Sequence, residues 1–227
     1  MDIDNIKKSL TRFELFSELS HEQIELLTKH SQVINLTQDS YVFNRGDSTQ
    51  GLYLLLAGQI KLGISSTQGI EKIIRIIAPD DSFGESGLFL EQQLPFYAKA
   101  IINSKVLLVS GHIIRLLLDS DANIARKMQE RLSDSLHQMI HDIETLSFQN
   151  AIQRFISYLL QISANAVNAE IITLPIRKGA IASMLNTTPE TLSRSISKLQ
   201  DIGLIDVKGK RIIITDVVKL RKFTIDN

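Results

Sequence analysis

The chain has 227 residues, with 25 basic and 25 acidic side chains, 44% hydrophobic residues and no cysteine. That length provides for one large domain or two modest ones, with enough apolar residues to fill their cores. The lack of cysteine excludes disulfides, thiolate zinc sites and cysteine-ligated iron–sulfur clusters. There is no run of about 18 apolar residues and no basic signal-like start, so we expect a cytoplasmic protein without a membrane span.

The zero net charge hides an uneven distribution along the chain. From Gln149 onward there are 11 lysines and arginines against 6 acidic residues, which leaves 14 basic and 19 acidic residues before it. The carboxyl-terminal part is therefore basic, as contact with a nucleic-acid backbone requires.

The amino-terminal part predicts short helices followed by many short strands. Residues 5–29 favour one or two helices in which Leu15 and Phe16 point inward and Ser20 caps a segment that buries Ile24 and Leu27. Turn residues then separate short apolar runs, which is typical of strands. The predicted strands are 33–36, 41–43, 51–56, 59–64, 71–78, 98–102 and 106–110. Such a density of strands indicates a sandwich or small barrel, and we expect a jelly-roll-like barrel.

A long helix follows the strands. Residues 111–118 return to helical spacing, and residues 121–147 contain neither glycine nor proline. Apolar positions recur there about every 3.5 residues, the spacing of a paired helix. They are Ala125, Met128, Leu132, Leu136, Met139, Ile143 and Leu146. We expect this seam to join two copies of the chain, although a helix lying on its own barrel would show a similar stripe.

The stretch 181–200 predicts a helix-turn-helix. Ile181, Ala182 and Leu185 suit the inner face of a first short helix, which lies after a predicted helix at 150–164 and a strand at 170–174. The second helix begins with Thr188 as N-cap and Pro189 at the first helical position, two strong start signals.

The second helix also carries side chains suited to reading DNA. Glu190 and Arg194 are one turn apart, where arginine can pair with guanine and glutamate can accept from cytosine. An ordinary surface ion pair is the alternative. Two strands, 204–207 and 212–215, then predict a wing whose basic tip is either a phosphate contact or a solvated loop. The predicted DNA-binding residues are Thr188, Glu190, Thr191, Ser193, Arg194, Lys198, Lys208, Lys210 and Arg211.

Taken in this order, the motifs resemble the CRP/FNR family of dimeric transcription regulators across nearly the whole chain. The markers are Tyr41-Val42-Phe43 before Gly46-Asp47, the 53–61 block, Phe83-Gly84-Glu85, the long helix and the winged helix-turn-helix. The resemblance implies an α+β fold: a cyclic-nucleotide-binding-type jelly-roll barrel (1–120), a dimerisation helix (121–148) and a winged helix-turn-helix (149–227). It implies double-stranded DNA, a second copy and RNA polymerase as partners. We find no paired nucleophile and base, so we do not expect an enzyme.

The recognition helix resembles the FNR type. Glu190, Ser193 and Arg194 match an E-x-x-S-R pattern whose half-site is similar to TTGAT. Cyclic-AMP-type members carry arginine where this chain has Pro189, which cannot read a base.

The effector pocket that the resemblance implies departs from the cyclic-AMP type. Its residues are Phe83, Gly84, Glu85, Leu94, Pro95, Phe96, Met139 and Ile140. The arginine that neutralises the cyclic phosphate is missing at Leu94-Pro95-Phe96, and a buried phosphodiester would lack its charge partner. Met139 and Ile140 replace hydroxyl residues that hold the base. We therefore expect no binding of cyclic AMP, and a structural role for the Glu85 carboxylate.

The segments 83–85, 89–90 and 95–98, together with the run 141–147, resemble the nitric-oxide-responsive denitrification regulators, a branch that implies haem dependence. The histidines are His21, His30, His112, His137 and His141. His137 and His141 lie one turn apart and could hold a metal, but such a pair is more often polar helix surface. None is marked as a haem ligand.

Overall fold

The computed structural model describes residues 3–69, 71–90, 92–164, 171–174, 176–209 and 211–226. The chain forms two compact units, 1–136 and 137–227. The boundary falls inside one long helix, so the expected division at 120 and 148 stays a prediction. No helix in the described ranges is long and apolar enough to cross a membrane.

Within the described residues, the first unit combines short helices with eight strands. Its helices are α1 (Ile3–Leu10), a 3-10 helix (Glu14–Phe16), α2 (His21–Lys29), α3 (Glu85–Leu90), α4 (Gly111–Ser120) and the start of α5 (Ala122–Phe148). Its strands are β1 (Ser31–Leu36), β2 (Tyr41–Phe43), β3 (Gly51–Ala57), β4 (Ile60–Ser65), β5 (Glu71–Ile77), β6 (Ser82–Phe83), β7 (Tyr97–Ala100) and β8 (Ser104–Ser110). α2 begins with the expected Ser20 cap, because Ser20 and Gln23 exchange side-chain-to-backbone hydrogen bonds of 2.8 and 3.2 Å.

The strands form two antiparallel four-stranded sheets, ordered β1-β8-β3-β6 and β2-β7-β4-β5. β3 and β8 are buried on both faces, which explains their nearly continuous apolar sequences. Tyr53 and Leu55 face the barrel interior, whereas Leu52 and Leu54 face a second core formed with α1, α2, α4 and the start of α5. The expected barrel fold is confirmed.

The second unit contains the end of α5 and a small mixed domain. Its further elements are α6 (Ala151–Ala164), β9 (Ile171–Thr173), α7 (Lys178–Met184), α8 (Pro189–Asp201), β10 (Ile205–Lys208), β11 (Arg211–Ile214) and α9 (Val217–Asp226). The antiparallel sheet is ordered β10-β11-β9. α6 packs against α8 and α9, so Phe155, Leu159 and Leu199 are fully buried.

Three elements differ from the sequence expectation. β6 has two residues and α3 has six, so neither is long enough to show a period. α9 follows the wing, where no helix was expected.

Candidate functional site

The helix-turn-helix consists of α7, a tight turn and α8. Asn186 takes a left-handed conformation in the turn (φ 51°), which asparagine tolerates better than most residues. Thr188 then caps α8: its hydroxyl accepts from the Thr191 N–H at 3.2 Å, and Pro189 follows at the first position. The sequence start signals therefore place the helix correctly.

The two faces of α8 have different roles. Leu192, Ser195, Ile196 and Leu199 are buried against the domain. The opposite side presents Glu190, Ser193, Arg194 and Lys198 to solvent, while Thr191 is half-buried. Packing therefore fixes the helix and leaves its polar side open to a partner.

Glu190 is held ready in its ionised form. Its own backbone N–H and the Thr188 hydroxyl lower the pKa of its carboxyl, and the charge of Arg194 lowers it further. Within the part of the chain that the structure describes, no ion pair joins Glu190 to Arg194. The two side chains are therefore not in direct contact, and their role in base reading stays a prediction.

The wing turns tightly, with Lys208 paired to Arg211 across the hairpin and Gly209 at φ 65°. Arg211 is exposed. The Lys208 ammonium lies 3.4 Å from the Asp206 carboxylate, so a local acid already offsets part of its charge. The predicted contact Lys210 lies outside the described residues.

Three of the predicted effector residues, Phe83, Leu94 and Phe96, lie in a packed aromatic interior of the barrel. Phe43, Tyr53, Phe83 and Phe96 form a cluster with ring centroids 5.2 to 6.0 Å apart. Leu94 packs in the same core, and burial raises the pKa of Tyr53. These side chains are aromatic or aliphatic, and none of them carries a positive charge.

Gly84 brings its backbone close to that cluster. Its φ is 93°, and a Cβ there would lie 2.8 Å from the Tyr53 ring. Only glycine combines this conformation with so close an approach. Pro95, by contrast, is exposed.

Glu85 is occupied by residues of its own unit. Its Oε1 accepts from the Ser82 hydroxyl at 2.7 Å and from Arg131 Nε at 3.1 Å. Arg131 Nη2 also donates to Asp81 Oδ1 at 2.6 Å and to the Ser82 carbonyl at 2.7 Å. Burial acts to lower the pKa of Arg131, but the charge of Glu85 and the bond to Asp81 outweigh it and raise that pKa.

Sequence reasoning missed Arg131. It lies on α5, 46 residues from Glu85 and 50 from Asp81, and no local motif marks the pairing. The Arg131 guanidinium pairs with the carboxylates of Asp81 and Glu85, so it does not supply a free charge for a bound phosphate.

The expected dimer seam on α5 is buried in the first unit near its start and exposed further along the helix. Met128 is buried in the core of its own unit together with Ile124, so its assignment to an exposed dimer seam is wrong. Ala125 is half-buried. The later positions Leu132, Leu136, Met139, Ile143 and Leu146 are exposed, as is Ile140. Met139 and Ile140 belong to the second unit.

Fold and site together define a winged helix-turn-helix DNA-binding protein with a sensory-type barrel. A protein-family model for a Crp-like helix-turn-helix domain matches residues 153–223, and one for a cyclic nucleotide-binding domain matches residues 33–121. The chain belongs to the CRP/FNR family of transcription regulators. It is a regulator rather than an enzyme, as expected.

Three similar proteins illustrate the range of the family. The CRP-like cAMP-activated global transcriptional regulator of Mycobacterium tuberculosis is 23% identical over 217 residues, covering 94% of this chain and 97% of that protein. The anaerobic regulatory protein of Pasteurella multocida is 27% identical over 208 residues, covering 90% and 75%. The structure of DNR from Pseudomonas aeruginosa is 31% identical with a TM-score of 0.52, covering 98% and 100%.

Proposed function

We propose that the protein binds DNA as a homodimer and reads a TTGAT-like palindrome under the control of a small effector. The observation that carries the proposal is the outward side of α8, where Glu190, Ser193 and Arg194 are exposed while the apolar side is buried. A recognition helix contacts base edges with its amino-terminal half, and these residues lie there.

Each of these residues has a chemical role in base reading. The planar Arg194 guanidinium pairs with guanine through two hydrogen bonds. The ionised Glu190 carboxylate accepts from cytosine on the opposite strand. Ser193 donates to Pro189 O at 2.8 Å, which keeps its small side chain close to the helix and lets the DNA approach.

The backbone contacts come from residues around the reading face. Small hydroxyls and cations bind phosphate without regard to sequence. We assign this role to Thr188, Thr191, Lys198, Lys208 and Arg211, and from the sequence alone to Lys210.

Homodimerisation is supported by the exposed apolar stripe of α5. Leu136 is 59% exposed and Ile143 is 64% exposed. A row of large apolar side chains in water signals a surface that a partner covers. A second copy fits because a two-fold dimer presents two recognition helices to a palindrome.

The effector that we propose is not a cyclic nucleotide. A cyclic phosphate needs a cation, and Arg131 is already bound to Asp81 and Glu85. The similar proteins differ in their control, since one is a cAMP-activated regulator and another is an anaerobic regulatory protein. An effector acts only through its different affinities for the two states of the dimer, whatever its identity.

Haem is the alternative effector that the resemblance to nitric-oxide-responsive regulators suggests. The residues present do not fit it well: all five histidines are exposed, and none lines the aromatic interior. Among the described residues no cluster of three or more histidine and acidic side chains is placed to hold a metal ion. We therefore derive no step through haem. Contact with RNA polymerase also remains a proposal from the resemblance.

Three titrations test these assignments. Gel-shift titration of an inverted TTGAT repeat and of a scrambled duplex should show preference for the repeat. Equal affinity for both would reject the proposed site. Calorimetric titration with cyclic AMP should give no binding, and haem titration should give no Soret shift. Micromolar cyclic AMP binding that raises DNA affinity would reject the argument about the pocket.

A further inference from the structure

The corner between α5 and α6 is tightly held. α5 ends at Phe148 and α6 begins at Ala151. The N–H of Asn150 donates to Gln153 Oε1 at 2.8 Å, and the N–H of Gln153 donates to Asn150 Oδ1 at 3.1 Å. Ser157 donates to Gln149 Oε1 at 2.9 Å. Reciprocal capping of this kind satisfies the first free N–H groups of a helix and fixes the direction in which it begins.

Arg154 extends this corner to the turn before α8. Its Nη1 donates to the Gln149 carbonyl at 2.6 Å, its Nε to the Leu185 carbonyl at 2.7 Å and its Nη2 to the Asn186 carbonyl at 3.3 Å. Gln149 follows directly after α5, whereas Leu185 and Asn186 form the helix-turn-helix turn. One side chain therefore joins the residue that follows the long helix to the turn before the recognition helix.

The three acceptors explain why an arginine stands here. Carbonyls past the end of a helix lack intrahelical donors, and α7 ends at Met184. A guanidinium has five donors in a rigid plane and can serve acceptors on two segments at once. No carboxylate pairs with Arg154 among the described ion pairs. Among the described residues, its three hydrogen bonds all go to backbone carbonyls.

We propose that Arg154 is a positioning residue for DNA reading, which fixes the turn before α8 to the corner after α5 so that the two move together. The inference rests on the proposed function in one respect, that α8 reads base edges. Base reading requires side chains placed to about 0.5 Å. Through this link the direction of α5 sets the direction of α8, and Arg154 does this without contacting DNA.

The test uses the full chain with the substitutions Arg154→Gln and Arg154→Lys. Arg221→Gln is the matched control, because it removes the same charge from an exposed position on α9. The operator is the duplex that the wild-type protein selects from a randomised library, so the result does not depend on the TTGAT assignment. Affinity is measured for this operator and for a scrambled duplex at two salt concentrations, together with amide hydrogen exchange.

Arg154→Gln should lower operator affinity about 10- to 100-fold, because charged hydrogen bonds to the turn are lost. Affinity for the scrambled duplex and the salt slope should match those of Arg221→Gln. Arg154→Lys should recover part of the loss, since an ammonium keeps the charge but not the fork. The Asn186 and Thr187 amides, which donate to Ser183 and Ala182, should exchange faster, while the β10–β11 amides stay unchanged.

Three results would overturn the proposal. Unchanged operator affinity would show that the link has no role in reading. Equal losses on both duplexes with a smaller salt slope would make Arg154 a phosphate contact. Faster exchange throughout the second unit, with a lower melting temperature, would make its role one of general stability. If the wild-type protein selects no duplex, the proposed function fails, and the exchange pattern alone decides whether Arg154 holds the turn.

Discussion

The carboxylate network around Arg131 in the barrel unit and the outward side of α8 in the DNA-binding unit use charged side chains in opposite ways. In the barrel, Arg131, Arg75 and Asp81 belong to one network with contacts of 2.6 Å, and Lys61 pairs with Glu71 at 2.6 Å. On α8, Glu190 and Arg194 are exposed without an ion pair in the part of the chain that the structure describes. These charged side chains of the barrel form ion pairs with one another, whereas those on the outward side of α8 are exposed and can contact a partner.

A similar contrast runs along α5. Its first part places Ile124 and Met128 in the core of the first unit, whereas Leu136 and Ile143 further along are exposed. The apolar side chains of this one helix are thus covered by the core of the first unit near its start and exposed to solvent further along. Exposed apolar side chains and exposed charges without an ion pair are the best guide to where partners bind.

The largest effect is expected on the open end of α5. Replacing Leu132 and Leu136 together by Asp should give a monomer that no longer binds its operator. Burying unpaired carboxylates between helices costs several kcal/mol, roughly 3–5 for a broken buried pair. Light scattering checks the mass. The control Ser133→Asp changes a neighbouring exposed position that lies off the stripe, and an undisturbed dimer in the double variant would place the interface elsewhere.

The next largest effect is expected on stability, at the Arg131 ion-pair network of the barrel unit. Arg131→Met should lower the free energy of unfolding by about 2–4 kcal/mol, because Asp81 and Glu85 lose their shared donor. Urea unfolding followed by near-ultraviolet dichroism measures it. Arg126→Met, which breaks only an exposed pair with Glu130 at 3.9 Å, should change stability by about 0.5 kcal/mol or less. Equal losses for the two variants would show that the Arg131 network stabilises the barrel no more than an exposed ion pair does.

Base reading should depend on the open charges of α8. Arg194→Ala should cost about 1–3 kcal/mol per half-site and erase the preference at one base pair. Glu190→Ala should relax specificity with a smaller loss of affinity, since it also removes a charge that repels phosphate. Binding to a series of half-site substitutions separates these outcomes. A loss shared equally by all sequences after Arg194→Ala would withdraw the docking assigned to α8.

The smallest effect is expected at the wing. Arg211→Ala should weaken binding to all sequences alike and reduce the salt slope by about one per subunit. Lys208→Ala should change the slope less, because Asp206 lies 3.4 Å away and already offsets its charge. Titrations at several salt concentrations measure both slopes. A change of base preference at the wing would contradict its assignment to backbone contact.

The sequence by itself determined the elements whose signals are local. Thr188 and Pro189 mark the start of α8 because capping and the fixed φ of proline act within one turn. The short apolar strands between turn residues and the Ser20 cap of α2 were predictable because their signals are also local. The aromatic and glycine residues around Phe83-Gly84-Glu85 marked the barrel by resemblance.

Only the tertiary structure decided what covers each side chain. A stripe on α5 has the same spacing whether its own core or a second copy covers it, so Met128 was assigned to the wrong surface. The pairing of Arg131 with Glu85 spans 46 residues, and that of Arg154 with Leu185 spans 31. Periodicity reports neighbours within a few residues, whereas these contacts form because the chain folds back on itself. These contacts decide which charged side chains are bound within the protein and which are exposed to contact DNA.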